Sequence, residues 1–155
     1  MHRRTVLTFI AFGIAGSASA STAARISLYK SPTCGCCGAW VDHLRKAKFD
    51  VAVQETADLD PVKRRAGVPA KLHSCHTAFV GDYVVEGHVP AEVIARLLVE
   101  RPSIRGLAVP DMPIGSPGME VPGEKPEPFD VLAFDRTGAT SVFASYPTGY
   151  PPGRS

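Results

Sequence analysis

The chain has 155 residues, of which 17 are lysine or arginine, 15 are aspartate or glutamate and five are histidine. Its formal net charge of +2 and hydrophobic fraction of 45% are ordinary for a globular domain, whereas nucleic-acid-binding domains carry a clear basic excess. The length is enough for one domain with one core, and the near balance of charge excludes nucleic acid and anionic lipid surfaces as predicted partners.

The first twenty residues have the pattern of an export signal. A basic start at His2-Arg3-Arg4 is followed by an apolar run from Val6 to Ile14 and by a small-residue cleavage site at Ala18-Ser19-Ala20. The run is shorter than the roughly 20 residues that span a bilayer, so an uncleaved membrane anchor is the less favoured alternative. We expect a periplasmic protein, exported by the general secretory or the twin-arginine route, that starts near Ser21 and has no membrane attachment after cleavage.

The next eighty residues alternate between strand and helix patterns. Runs of alternating apolar residues indicate strands, and apolar residues three and four apart indicate helices. The resulting order β-α-β-α-β-β-α predicts an α/β fold, a thioredoxin-like mixed sheet with flanking helices. The predicted elements are a strand at Arg25–Tyr29, a helix from Cys36 or Cys37 to Lys48, a strand at Val51–Gln54, a helix at Asp60–Gly67, a hairpin of Thr77–Val80 and Tyr83–Glu86, and a helix at Pro90–Glu100.

The last third of the chain differs in composition. Residues 102–128 hold seven of the 14 prolines, which predicts a loop with little regular structure. Residues 129–145 read as a hairpin around Asp135-Arg136-Thr137-Gly138, packed on a sheet edge. We therefore expect one domain over residues 21–146 and a disordered tail over residues 147–155.

A cysteine cluster marks the turn between the first strand and the first helix. Cys34, Cys36 and Cys37 are three of the four cysteines of the chain. The start of a helix favours thiolate over thiol, and clustered thiolates suit Cu(I), Zn(II) or iron–sulfur centres. The alternative is a disulfide between Cys34 and Cys37, with Cys36 as a small buried residue.

The fourth cysteine lies between histidines, in His73-Ser74-Cys75-His76. In the predicted topology, the turn with the cysteine cluster, the loop before the third strand and the loop after the fourth strand meet at one end. These loops would bring Cys75, His76 and His88 to the cluster, and a metal site gains more from the imidazoles than a structural disulfide does. His76 also stands where thioredoxin-like proteins usually have a proline, which weakens the case for ordinary thiol–disulfide exchange.

Two methionines in the proline-rich loop are further candidate ligands. Met112 and Met119 are the only methionines after the signal segment, and thioether sulfur is a soft ligand suited to Cu(I). The alternative for each is a hydrophobic plug that holds the loop in place.

Taken together, these residues resemble the CopG-type periplasmic copper-resistance proteins, a family of small thioredoxin-like metal-binding proteins. The resemblance covers about residues 26–120. It is carried by Pro32-Thr33-Cys34-Gly35-Cys36-Cys37, Trp40-Val41-Asp42-His43-Leu44, residues 68–78 around Cys75, Tyr83-Val84-Val85-Glu86-Gly87-His88-Val89-Pro90, and the loop residues 106–110 and 115–120.

The resemblance implies a copper site bridged by cysteine sulfur and a role in copper tolerance, and it leaves open an interconversion of Cu(I) and Cu(II). The resemblance assigns ligand roles to the four cysteines. Loop geometry is the main reason for predicting ligand roles for His76, His88, Met112 and Met119. Copper, as Cu(I) and as one or several ions, is the predicted cofactor, with other periplasmic copper-handling proteins as partners. Two alternatives remain, a thioredoxin-type thiol–disulfide oxidoreductase and a structural zinc domain. For the copper protein itself a copper oxidoreductase activity stays open, and hydrolase and transferase activities are not expected.

Overall fold

The computed structural model describes residues 24–151 and has an α/β fold, as predicted. The predicted signal segment and residues 152–155 of the tail lie outside this range. Within it, no helix is long and apolar enough to cross a membrane. The elements are β1 (Arg25–Lys30), α1 (Gly35–Lys46), β2 (Asp50–Glu55), α2 (Asp60–Ala66), a 3-10 helix (Ala70–Leu72), β3 (His76–Val80), β4 (Tyr83–Glu86), α3 (Ala91–Glu100), β5 (Gly106–Ala108), β6 (Phe129–Phe134) and β7 (Thr140–Tyr146).

All seven strands form one mixed sheet in the order β2-β1-β3-β4-β5-β6-β7. β1 pairs in parallel with β2 and antiparallel with β3, and β3 pairs antiparallel with β4. This arrangement of the first four strands, with the helices between them, is consistent with the thioredoxin-like order expected from the sequence.

The proline-rich loop contains one strand that the sequence analysis did not predict. β5 pairs in parallel with β4 and antiparallel with β6, so it joins the C-terminal hairpin to the rest of the sheet. The hairpin therefore extends the sheet by two strands and does not merely pack on its edge. β5 has only three residues, and such a short element depends on its neighbours for its hydrogen bonds.

The core lies on both faces of the sheet. Because side chains alternate along a strand, Val85 faces the layer of α1 and α3, whereas Val84 faces the layer of α2. The first layer contains Trp40 of α1 and Ile94 of α3, both fully buried, as the helix patterns predicted. This layer fixes α1, and therefore its cysteines, against the centre of the sheet.

The C-terminal segment closes over the start of α3. The hydroxyl groups of Tyr146 and Tyr150 lie 3.0 and 3.1 Å from the two carboxylate oxygens of Glu92, to which they donate. Tyr150 is buried, although it belongs to the segment expected to form a disordered tail. His43 of α1 accepts the backbone N–H of Ala91 at 3.0 Å and so links the two helices directly.

Candidate metal centre

The cysteine cluster lies at the start of α1, with Cys34 as its N-cap residue. Cys34 and Cys37 form a disulfide bond, and Cys36 and Cys75 are free thiols. The structure therefore shows the disulfide that the sequence analysis gave as the alternative, and metal ligation by Cys34 and Cys37 remains a prediction for the reduced chain. The physical reason for the disulfide is that one turn of helix places the two Cα atoms 5.5 Å apart, within the usual range for a disulfide.

Cys36 is not a buried spacer, as the disulfide alternative supposed. It is partly exposed, and its sulfur lies 3.4 Å from the sulfur of Cys34. Cys75 reaches the same place from the loop before β3. The four sulfur atoms of Cys34, Cys36, Cys37 and Cys75 all lie within 4.8 Å of one another, so the predicted convergence of the fourth cysteine on the cluster is confirmed.

Two imidazoles complete the site next to Cys75. Its Sγ lies 3.2 Å from Nδ1 of His76 and 3.1 Å from Nε2 of His88. Both histidines are fully buried, and the three donor atoms form a second group within 4.8 Å. His76 begins β3 and His88 follows β4, so the antiparallel pairing of these strands brings the imidazoles to one end of the sheet.

The proline-rich loop fixes the orientation of His88. Nδ1 of His88 lies 2.7 Å from the carbonyl oxygen of Pro117, to which only a protonated Nδ1 can donate. The neutral ring therefore presents the lone pair of Nε2 to Cys75, as is usual for metal-binding histidines held by an outer hydrogen bond.

Next in the loop, Gly118 has φ +85°, and a Cβ there would lie 2.6 Å from the backbone nitrogen of Trp40. Only glycine allows the loop to approach α1 this closely.

The methionines have different surroundings. Met119 follows Gly118 and is partly buried, and its backbone pairs with Gly115 and Ser116 across a tight turn. It therefore lies in the part of the loop that packs against the start of α1. Met112 is more exposed, at 38% of its surface. Ligation by either thioether remains a prediction.

Burial sets the protonation states of the donors. It lowers the pKa of His88 and, together with the nearby charge of His88, lowers that of His76 well below its usual value. Both imidazoles are therefore neutral, the form that binds metals. Burial, followed by repulsion from Cys36, raises the pKa of the Cys75 thiol to about 12. Metal binding at Cys75 must therefore displace a proton.

Sequence reasoning missed a buried ion pair behind the site. The carboxylate of Glu86 is fully buried and paired with Lys63 of α2, whose Nζ also donates to Thr77 at 3.1 Å. Glu86 accepts the backbone N–H of Ser74 at 2.6 Å and the hydroxyl of Thr77 at 2.7 Å. It thus holds both ends of the segment that carries Cys75 and His76. The only local sign of this ion pair in the sequence is that Glu86, a charged residue, ends an otherwise apolar strand.

Trp40 also contacts the site, although the sequence analysis assigned it only to the core. Its ring lies against the ring of His76, with centroids 4.3 Å apart, and its indole N–H donates to the carbonyl oxygen of Val89 at 2.9 Å. The remaining histidine of the cysteine motif, His73, is exposed and bonds to the backbone of Val68. It lies in neither donor group.

Comparison with known proteins gives consistent matches. Two solved structures, named Copper resistance protein copG, Form 1 and Form 2, are each 43% identical in sequence to this chain. They cover 81% of it, this chain covers 99% and 100% of theirs, and the TM-scores are 0.76 and 0.77. A family model described as "Protein of unknown function, DUF411" matches residues 72–119, which include Cys75, both site histidines and both methionines. No curated protein sequence matches.

The ion pair behind the site generates the first prediction. Glu86→Gln removes the charge that holds Ser74 and Thr77 and leaves Lys63 buried without its partner. We expect a loss of about 3–5 kcal/mol in the free energy of unfolding and a fall of roughly 10–100-fold in the Cu(I) affinity of the reduced protein. Chemical denaturation and competition with a Cu(I) chelator measure the two effects.

Leu97→Ala is the matched control, because Leu97 is fully buried in α3 and its apolar side chain forms no hydrogen bond with Glu86, Ser74 or Thr77. It should cost about 2–5 kcal/mol of stability and leave the Cu(I) affinity unchanged. Thr77→Val, a milder change, removes one bond to Glu86 and should weaken Cu(I) binding while the protein stays folded. Wild-type affinity in folded Glu86→Gln and Thr77→Val proteins would show that the network has no influence on the site.

Proposed function

The chain belongs to the CopG family of copper-resistance proteins, and we propose that it is a periplasmic copper-binding protein that holds Cu(I) in a multinuclear, cysteine-bridged site. One observation supports this proposal above all. Four cysteine sulfurs from two distant segments lie within 4.8 Å of one another, next to two neutral imidazoles. Thiolate clusters of this kind suit Cu(I), which is soft and accepts low coordination numbers.

Reduction of the disulfide comes first in the proposed binding sequence. Two electrons and two protons convert the Cys34–Cys37 disulfide to two thiols, and a dithiol or other thiol reductant supplies them. All four cysteines are then ligands, and each thiolate can bridge two ions, since sulfur carries more than one lone pair. Bridging permits more than one Cu(I) within the small volume that the sulfurs enclose.

The same thiols allow the proposed interconversion of copper oxidation states. When the thiols of Cys34 and Cys37 close their disulfide they release two protons to solvent and two electrons, which reduce two Cu(II) ions to Cu(I). The proposal also includes export by the signal segment of residues 1–20 and exchange of copper with other periplasmic copper-handling proteins, through the partly exposed sulfurs of Cys36 and Cys75. His76, His88 and Met119 would complete the coordination at the buried side, and Met112 at the outer end of the loop.

A thiol–disulfide oxidoreductase is the second candidate. The disulfide of Cys34 and Cys37 at the start of α1 favours it, because redox enzymes with a Cys-x-x-Cys motif have the same arrangement. Two further sulfurs beside this disulfide, and two imidazoles in contact with one of them, favour the copper function, since disulfide exchange requires neither group. A structural zinc domain accounts for the four cysteines but not for the bond between two of them.

The second prediction concerns stoichiometry. The reduced, metal-free protein, titrated anaerobically with Cu(I), should bind more than one Cu(I) per chain, because the four sulfurs can bridge. Cys36→Ser should lower this number, since Cys36 has no role in a simple Cys34/Cys37 pair, and Cys75→Ser should lower the number or the affinity. His73→Gln is the control and should bind as the wild type does. Saturation at one Cu(I), with no change in Cys36→Ser, would contradict the cluster.

The third prediction separates the copper protein from the disulfide enzyme. The metal-free, reduced protein should reduce insulin disulfides slowly, because the sulfur of Cys75, within 4.8 Å of those of Cys34 and Cys37, occupies space that a substrate disulfide would need. His76→Pro places the residue usual in thioredoxin-like enzymes at this position, and it should raise insulin reduction while lowering Cu(I) affinity. Rapid insulin reduction by the wild type, together with unchanged Cu(I) binding in His76→Pro, would favour the enzyme.

A further inference from the structure

We propose that the disulfide-bonded form of this chain has a second, mononuclear mode of metal binding, in which Cys75, His76 and His88 hold one divalent ion of borderline softness. Zn(II), Co(II) and Cu(II) belong to this class. The proposal rests on the assignment of this end of the sheet to metal binding, but it does not require the four-cysteine cluster.

The geometry of the three donors fits one ion. A tetrahedral ion with a metal–sulfur bond of about 2.3 Å and a metal–nitrogen bond of about 2.0 Å separates sulfur from nitrogen by about 3.5 Å. Sγ of Cys75 lies 3.1 Å from Nε2 of His88 and 3.2 Å from Nδ1 of His76. Each sulfur–nitrogen distance therefore needs to lengthen by only a few tenths of an ångström, and the two nitrogens lie within 4.8 Å of each other, close enough to approach the same ion.

These donors are independent of the disulfide. A disulfide sulfur is not a thiolate, so Cys34 and Cys37 stop being good ligands once they are bonded to each other. Cys75, His76 and His88 belong to other segments, the loop before β3, the start of β3 and the loop after β4. Closing the disulfide in α1 therefore removes none of these three donors.

The two imidazoles are already held in place. The Pro117 carbonyl fixes the ring of His88, and the ring of Trp40 lies against that of His76. Little rotamer freedom is left to lose when an ion binds. The free thiol of Cys36 lies within 4.8 Å of the sulfur of Cys75 and is the nearest candidate for a fourth ligand among the free cysteines.

Ligand softness then makes the redox state select the metal. In the reduced chain, four thiolates favour soft Cu(I). In the disulfide form, one thiolate with two imidazoles favours a divalent ion, since imidazole suits Zn(II) and Cu(II) and a Cys–His₂ set is also found in mononuclear copper proteins. The proposed consequence is a protein that holds different ions under reducing and oxidising conditions.

Co(II) is the probe for the test, because its absorption reports tetrahedral thiolate coordination and it does not oxidise thiols. The disulfide-bonded protein, without reductant, should bind one Co(II) per chain and show both a sulfur-to-cobalt charge-transfer band and tetrahedral ligand-field bands. Cys75→Ser should abolish the charge-transfer band, and His88→Gln should weaken binding at least tenfold. His73→Gln, outside the donor group, should behave as the wild type.

The double variant Cys34→Ser/Cys37→Ser distinguishes this site from the cluster. It cannot form the disulfide or the four-sulfur site, yet it should still bind one Co(II) with the same spectrum, while it loses multinuclear Cu(I) binding. Loss of Co(II) binding in this variant, or an unchanged charge-transfer band in Cys75→Ser, would overturn the proposal. Far-ultraviolet circular dichroism checks folding, and His76→Gln replaces His88→Gln if the latter does not fold. A failure of Cu(I) cluster binding in the reduced wild type would refute the proposed function but not this site.

Discussion

Cys75 provides the sulfur atom that both donor groups share, and its position depends on how β3 lies in the sheet. β3 is paired with β1 on one side and with β4 on the other, so that Lys30 lies opposite His76 and Thr77 opposite Glu86. This register places the start of β3 beside the end of β1, from which the chain enters α1. The loop before β3 therefore faces the cysteine cluster, and His88 follows from the end of β4.

The buried carboxylate of Glu86 holds this loop against the sheet. It lies on β4 but bonds to the backbone of Ser74 and the side chain of Thr77, so that the strand and the loop are held together. A buried ion pair of this kind contributes little net stability, yet removing one partner is costly. In this protein its effect is positional, since it fixes the residue on each side of Cys75 and His76.

The sequence predicted the strands and α-helices between residues 25 and 100, though not the 3-10 helix at Ala70–Leu72, because their apolar periodicities are clear and the cysteine turn lies between a strand and a helix. It did not predict β5, whose three residues obtain their pairing from β4 and β6 rather than from any local pattern. Lys63 lies in a short helix rich in basic residues, a composition typical of an exposed helix. No pattern in the neighbouring sequence indicates that its side chain pairs with Glu86. The hydrogen bond from His88 to Pro117 could not be predicted either, because its acceptor is a backbone carbonyl, which every residue has. The disulfide was an open alternative because the spacing of Cys34 and Cys37 suits both chemistries.

The central claim is that the reduced chain gathers Cu(I) in a cluster bridged by cysteine sulfur. X-ray absorption at the copper edge, measured on the reduced and Cu(I)-loaded protein, tests it most directly, because it reports ligand type and metal–metal distance together. The account predicts an edge of Cu(I) form, a first shell dominated by sulfur at about 2.3 Å, as for other metal–thiolate bonds, and a copper–copper scattering contribution. A first shell of nitrogen or oxygen without copper–copper scattering would contradict it.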